Sequence, residues 1–405
     1  MTIFANGKKQ LSEAKINQQP DRTRPGDQTK PGELATLFLR LGFTAFGGPA
    51  AHIAMMEEEV VLRRKWFTQE EFLDMLGVTN LIPGPNSTEM AIHIGYRRGG
   101  VKGLLIAGVC FILPAMLVTI VFAHIYMTYG AMPGLGTLMR GIRAAIIAVV
   151  LGAVFRLGKP FASRPFMLVT GGATAILSIL RFDPLLLLLA SGAAGIAWRN
   201  RERVRDLLLS IPALILAPIL PLAGPSGGAP EGATLTGLGL FFLKIGSILY
   251  GGGYVLVAFL QEGLVDSRGW LTQTSLLDAI AVGQFTPGPV LSTATFIGFM
   301  LFGIPGALVS TGAIFLPSFL FVLLIGPFVP RLRNSLLMRG FLDGVNAGAL
   351  GLMLGVCFIL GQSALLSIST GAIFVIALFV QIRWRINAAW LVAGGALAGW
   401  VAGLL

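Results

Sequence analysis

Shifting the 405-residue sequence by 204 positions lays FLRLGFTAFGG (Phe38 to Gly48) over FLKIGSILYGG (Phe242 to Gly252). The match runs on without a gap to Pro85 and Pro289, and 18 of these 48 positions are identical. Among them are Gly42/Gly246, Trp66/Trp270, Thr68/Thr272, Gln69/Gln273, Asp74/Asp278 and the triplet Pro83-Gly84-Pro85/Pro287-Gly288-Pro289. With small deletions it continues through Gly95/Gly298, Gly103/Gly306 and Leu113-Pro114/Leu316-Pro317 to Arg140-Gly141/Arg339-Gly340. A duplication of this extent means two copies of one structural unit, so whatever one half folds into, the other must match.

Lipid is the solvent for both copies. Apolar residues make up 55% of the chain, charged residues only 12%, and the mean hydropathy is +0.79. A soluble surface needs about twice that share of charge. From Leu34 onward, thirteen apolar runs begin near residues 34, 72, 101, 141, 165, 184, 207, 237, 274, 303, 340, 364 and 387. Each is a candidate to cross a hydrocarbon core of about 30 Å. The expected fold is an all-α integral membrane protein of about 13 transmembrane helices.

The expected layout is a disordered cytoplasmic tail over 1–33, a first repeat over 34–200, a linker with an extra span over 201–236, and a second repeat over 237–405. Six spans fall in each repeat. The odd span, near Leu207 to Leu222, places the two copies in opposite orientations, as inverted repeats. With the tail in the cytoplasm, the basic loops around Arg97, Arg98 and Lys102, around Arg156, Lys159 and Arg164, and from Arg199 to Arg205 all fall inside, and the C-terminus falls periplasmic or extracellular. Arg140 and Arg143 fit this walk imperfectly. The tail lacks the apolar core of a signal peptide.

In each half the first two spans contain helix breakers: Phe46-Gly47-Gly48-Pro49 and Pro83-Gly84-Pro85 in one, Tyr250-Gly251-Gly252-Gly253 and Pro287-Gly288-Pro289 in the other. A break at membrane depth exposes backbone groups that lipid cannot satisfy, so it must face protein or a watery cavity. New helix N-termini there offer N–H donors and partial positive charge, the elements of an anion site. Ser87, Thr88, Ser292 and Thr293 add hydroxyls just after the PGP breaks. A lone break of this kind is equally a kink between packed helices. Its recurrence at matching places in both halves favours the site.

Arg40 and Lys244 occupy aligned positions early in the first span of each half, as counter-ions for a substrate or as cations snorkelling to headgroups. Glu89 is a proton-coupling candidate or one half of a capping box with Asn86. His52 and His93 are proton-carrier candidates or packed, hydrogen-bonded side chains. Asp74/Asp278 and Asn80/Gln284 are aligned polar pairs of structural character. Cys110 and Cys357 sit in apolar runs and read as packing residues, no metal or cofactor motif is present, and neither a Walker A sequence nor a catalytic constellation points to an enzyme.

The segments FLRLGFTAFGGPAAHIAMMEEE, KWFTQEEF and NLIPGPNSTEMAIHIGY, with their second copies FLKIGSILYGGGY and QFTPGPVLSTATFIGF, resemble the long, two-domain members of the chromate ion transporter family over roughly Leu34 to Leu405. The resemblance implies chromate export and chromate resistance, with sulfate as the related substrate. It carries the family signature onto Phe46, Gly47, Gly48, Pro49, Pro83, Gly84 and Pro85, and onto Gly251, Gly252, Pro287, Gly288 and Pro289. Gly253 stands where the first copy has Pro49. The implied partners are chromate or sulfate and the lipid bilayer, not nucleic acid, and self-association is compatible with them. Uptake or exchange of sulfate or another tetrahedral oxyanion, and a passive anion channel, are the alternatives.

Overall fold

The computed structural model describes residues 29–45, 48–130, 132, 135–161, 163–200, 232–250, 253–325, 335–384 and 386–404. Every regular element among them is helical, and the chain is an all-α membrane protein. The first half holds α1 (Pro31–Thr44), α2 (Pro49–Glu57, continued by a π-helical turn, Glu58–Arg63), α3 (Gln69–Thr79), α4 (Asn86–Tyr129), α5 (Leu135–Gly158), α6 (Pro165–Ile179) and α7 (Pro184–Arg199). The second holds α8 (Leu235–Ile248), α9 (Leu256–Leu260, continued by a π-helical turn, Gln261–Asp266), α10 (Gln273–Phe285), α11 (Thr293–Ile325, after a 3-10 turn, Val290–Ser292), α12 (Leu336–Ala364), α13 (Ile368–Trp384) and α14 (Ala388–Ala402). The extra span expected near Leu207 to Leu222, and most of the N-terminal tail, lie outside the described residues. The tail's last residues are ordered, since α1 starts at Pro31 and the Thr29 N–H donates to the Arg98 carbonyl at 3.2 Å.

The breaks prove to be turning points. Along α1 and α2 the contacts run in opposite order: His52 bonds the Ala45 carbonyl, Arg40 pairs with Glu59, and Glu33 pairs with Arg64. The two arms are therefore antiparallel and the chain reverses between them. α3 and the start of α4 reverse in the same way at Pro83-Gly84-Pro85, with Asn86 bonded to Asn80 at the tip and Arg98 stacked over Trp66 at the base. A Thr68/Glu71 capping box starts α3 just beyond Trp66.

A straight 44-residue α4 would measure about 66 Å, twice a hydrocarbon core. It doubles back at Gly99–Gly100, where Gly100 takes φ +58°, and Gly95 then lies against Gly103. α11 does the same at Phe302–Gly303, with Gly303 at φ +61°, Gly298 against Gly306 and Thr295 bonded to Thr311 at 2.8 Å. Only the second arm of each, ending at Tyr129 and Ile325, is left to traverse the molecule.

The first-half hairpins share one core, built from Phe38, Met56, Phe72, Met90, Ile94 and Phe111. Their second-half counterparts close around Phe242, Leu260, Leu276, Ile280, Phe296 and Ile314. The remaining helices exchange partners between halves. α6 and α7 pack on α12, while α13 and α14 pack on α5. Gly141 meets Gly395 and Gly399 backbone to backbone at one crossing, and Gly340 meets Gly195 at the other. Small residues allow such approach between membrane helices.

Candidate substrate site

The four turning points converge at the centre of the molecule. Gly84 donates its N–H to the Leu249 carbonyl at 2.7 Å, and Gly288 donates to the Ala45 carbonyl at 2.9 Å. Ala45 and Leu249 occupy aligned positions, as do Gly84 and Gly288, so each PGP tip is hooked onto the glycine tip of the other half. Proline has no N–H, so the glycine carries the sole backbone donor of each PGP triplet, and that donor is consumed in holding the halves together. The first turns of the helices that begin here, α2, α4, α9 and the turn leading into α11, keep backbone N–H groups that an anion could use. Gly48, at φ +82°, closes this junction from the first half, next to the Tyr254 hydroxyl from the second. Gly47, Gly251 and Gly252 lie outside the described residues, as does Phe46.

Pro83, Gly84, Pro85, Pro287, Gly288 and Pro289 are all at the junction, and the hydroxyls after them are buried. Ser87 Oγ lies 3.3 Å from His52 Nδ1, while His52 Nε2 lies 3.0 Å from the Ala45 carbonyl. His52 thus pins the first glycine tip to the first PGP helix. Ser292 bonds Thr286 at 3.1 Å and Thr293 donates to the Val290 carbonyl at 2.9 Å, both within the second PGP tip. His93, further along α4, is buried with its Nδ1 unpartnered.

The Asn86/Glu89 capping box does not form. Pro85 occupies the cap position, Asn86 turns to Asn80, and both Glu89 carboxylate oxygens lack a hydrogen-bond partner although the residue is fully buried. Thr88 Oγ1 and Ser318 Oγ are likewise buried and unpartnered. Ser318 was legible in principle, since it follows Leu316-Pro317, the repeat of Leu113-Pro114, but nothing in the sequence shows that it reaches the opposite half's PGP tip.

The expected cations are held elsewhere. Arg40 pairs with the largely buried Glu59, and Lys244 faces Glu262 on the corresponding π-helical turn, so both engage the arm of their own hairpin rather than the junction. A cation that sequence reading assigned to a loop does reach it: Arg156, exposed near the end of α5, meets the buried Tyr254 hydroxyl that lies beside Gly48. Among the described residues no carboxylate pairs with Arg156.

The sequence matches known proteins over both halves. The chromate transporter family model matches residues 32–196 and again 236–400. A chromate transport protein of Cupriavidus metallidurans is 31% identical over 394 residues, covering 95% of this chain and 98% of that protein. A chromate transport protein of Pseudomonas aeruginosa is 31% identical over 91% of this chain and 92% of its own length. An uncharacterized transporter of Bacillus subtilis, YwrA, is 28% identical over 40% of this chain but 93% of its own length, so it corresponds to one half. No solved structure matches. With both halves matched to the same model and full-length relatives at this identity, the chain belongs to the chromate transporter family.

Proposed function

We propose that this chain is a secondary transporter that exports chromate across the bacterial cytoplasmic membrane and so confers chromate resistance. The observation that supports this most is the pair of hydrogen bonds from Gly84 to Leu249 and from Gly288 to Ala45, which makes one central site out of four breaks. We read the halves as inverted repeats, with the hairpins α1–α2 and α3–α4 entering from one membrane face and α8–α9 and α10–α11 from the other. The first-half face carries Arg97, Arg98, Lys102, Lys159 and Arg164, and by the positive-inside rule it is cytoplasmic. Rocking the halves against each other exchanges their roles and exposes the junction to alternate sides.

The dianion would bind among the α2, α4, α9 and α11 starts, with Thr88, Ser292 and Thr293 nearby and Arg156 with Tyr254 at the cytoplasmic approach. A negative interior favours outward movement of a dianion by about 4.6 kcal/mol per 100 mV, enough to drive export against a large gradient. A proton gradient can modify that drive through Glu89. The test is chromate flux in proteoliposomes of the purified chain, with a potassium-valinomycin potential and a pH gradient imposed separately. Outwardly directed, potential-dependent chromate flux is expected. Sulfate flux without chromate flux would replace it with oxyanion uptake or exchange, and flux without counterflow would indicate a channel.

Arg156→Gln is expected to raise the half-saturating chromate concentration about tenfold, the loss of one charge-assisted hydrogen bond, with little change in maximal rate. The concentration dependence of flux from the cytoplasmic side checks this. An unchanged half-saturation would remove Arg156 from the approach.

A further inference from the structure

We infer that Glu89 and Ser318 form a proton site, built from both halves, through which each chromate dianion is carried together with one proton. The inference rests on the reading of this junction as the chromate site. Glu89 lies on the first turn of α4, fully buried, and both its oxygens lack hydrogen-bond partners. Ser318 on α11 faces this carboxylate across Gly84, without satisfying hydrogen-bond geometry to it. Thr88, through its Oγ1, is a third residue of this region with a buried, unpartnered polar atom.

A buried carboxylate with neither a cation nor donors is costly when ionised, and natural interiors neutralise such groups by a proton or a counter-ion. No arginine or lysine pairs with Glu89 among the described residues. The titratable groups around it are Tyr250 at the opposing glycine tip, His52 on α2, which is linked to α4 through Ser87, and His93 on its own helix, none of them a fixed positive charge. The second half has no equivalent, because Thr293 and Ala115 stand where the first has Glu89 and the second has Ser318. The proton site is thus single, and its two faces belong to elements that must part when the halves rock.

An ionised Glu89 would sit against the same helix starts that receive the anion and repel it. Chromate binding and proton binding at Glu89 therefore reinforce one another, and by linkage each raises the other's affinity by the same factor. The loaded site then moves one net negative charge rather than two. Potential still favours export, at half the drive per anion, and an acidic exterior opposes it.

The decisive measurement is the potential that just balances a tenfold chromate gradient in proteoliposomes at equal pH inside and outside. For one net charge it is about 59 mV, for two about 30 mV. Wild-type protein is expected near the first value, and its flux is expected to fall about tenfold per pH unit once Glu89 titrates, as for any single required proton. Glu89→Gln is expected to shift the balance to about 30 mV and to flatten the pH profile. Ser318→Ala is expected to displace the pH midpoint while keeping the wild-type balance potential.

A wild-type value near 30 mV overturns the inference without reference to any variant, as does a pH profile that survives Glu89→Gln, or flux that follows Na⁺ rather than H⁺ when choline replaces sodium. Absence of chromate flux under every gradient would instead overturn the transport reading itself.

Discussion

Gly84→Val is expected to reduce chromate flux at least about a hundredfold while the protein still inserts and purifies as a monodisperse species. Gly84 has φ +144°, outside the range a branched residue adopts without strain, and a Cβ there would overlap the Glu89 carboxylate and stand 2.6 Å from Ser318 Oγ. Strained backbone costs about 1–3 kcal/mol and overpacking a similar amount, which the tip relieves by displacing the Glu89 and Ser318 side chains or by withdrawing its 2.7 Å hydrogen bond from Leu249. The core that the first-half hairpins share around Phe38 and Phe72 does not depend on the tip's hydrogen bond, so folding survives and the junction does not. Gly288 provides an internal control, with φ +90° and a would-be Cβ 2.8 Å from the Ala115 Cβ. Gly288→Ala is expected to lose most flux, and adding Ala115→Gly to restore part of it by removing the atom it strikes. The same rescue is not available at Gly84, where Glu89 remains in the way. Normal flux in Gly84→Val would dissociate the four-way junction from transport.

Much of this junction was legible because the duplication located it twice. Two unremarkable tripeptides became a site candidate only by recurring at one offset, and the hydroxyls that follow them were found by position. The reversal of the chain was not legible. A break and a turning point have the same glycines and prolines, and the difference lies in whether Arg40 meets Glu59 and Glu33 meets Arg64, pairings between residues 19 and 31 positions apart. Nor did the sequence show that Gly84 bonds to the other half, since a backbone acceptor such as the Leu249 carbonyl leaves no mark on residue type. Charge was no easier to read. Alignment of Arg40 with Lys244 suits a counter-ion or a snorkelling cation equally, and the pairing of Arg40 with Glu59 and of Lys244 with Glu262 on the π-helical turns leaves no mark on residue type. Arg143 fitted the topology poorly as a loop charge because it is not one.

Arg143 donates from Nε to Asp278 Oδ1 at 2.7 Å and from Nη2 to Oδ2 at 2.9 Å, and Tyr126 adds a third bond to Oδ2 at 2.7 Å. Asp278 is 1% exposed and belongs to the second half, whereas Arg143 and Tyr126 belong to α5 and α4 of the first. The three residues therefore bridge the halves, and on the inverted-repeat reading they do so on the face opposite the first-half hairpin bases. Asp74, aligned with Asp278, is exposed rather than buried, and Leu342 stands at the position corresponding to Arg143, so the sequence pattern of this bridge is not repeated. A buried bridge between the halves should bias the resting protein toward the state in which it is made. Removing one member of a buried pair costs about 3–5 kcal/mol, which, if drawn from the closed state, shifts the opening equilibrium by more than about a hundredfold. In a background with Cys110 and Cys357 replaced by serine, a cysteine at the buried Gln284 is expected to react with an impermeant maleimide from that face at least about tenfold faster in Arg143→Ala. Arg143→Leu with Asp278→Leu is expected to recover thermal stability, since an apolar pair of suitable size replaces a buried ion pair at little cost, yet to keep the fast labelling. Stability and labelling that recover together would reduce the bridge to a packing feature. Recovery of stability alone would make it the element that holds this face closed while the other half of the site loads.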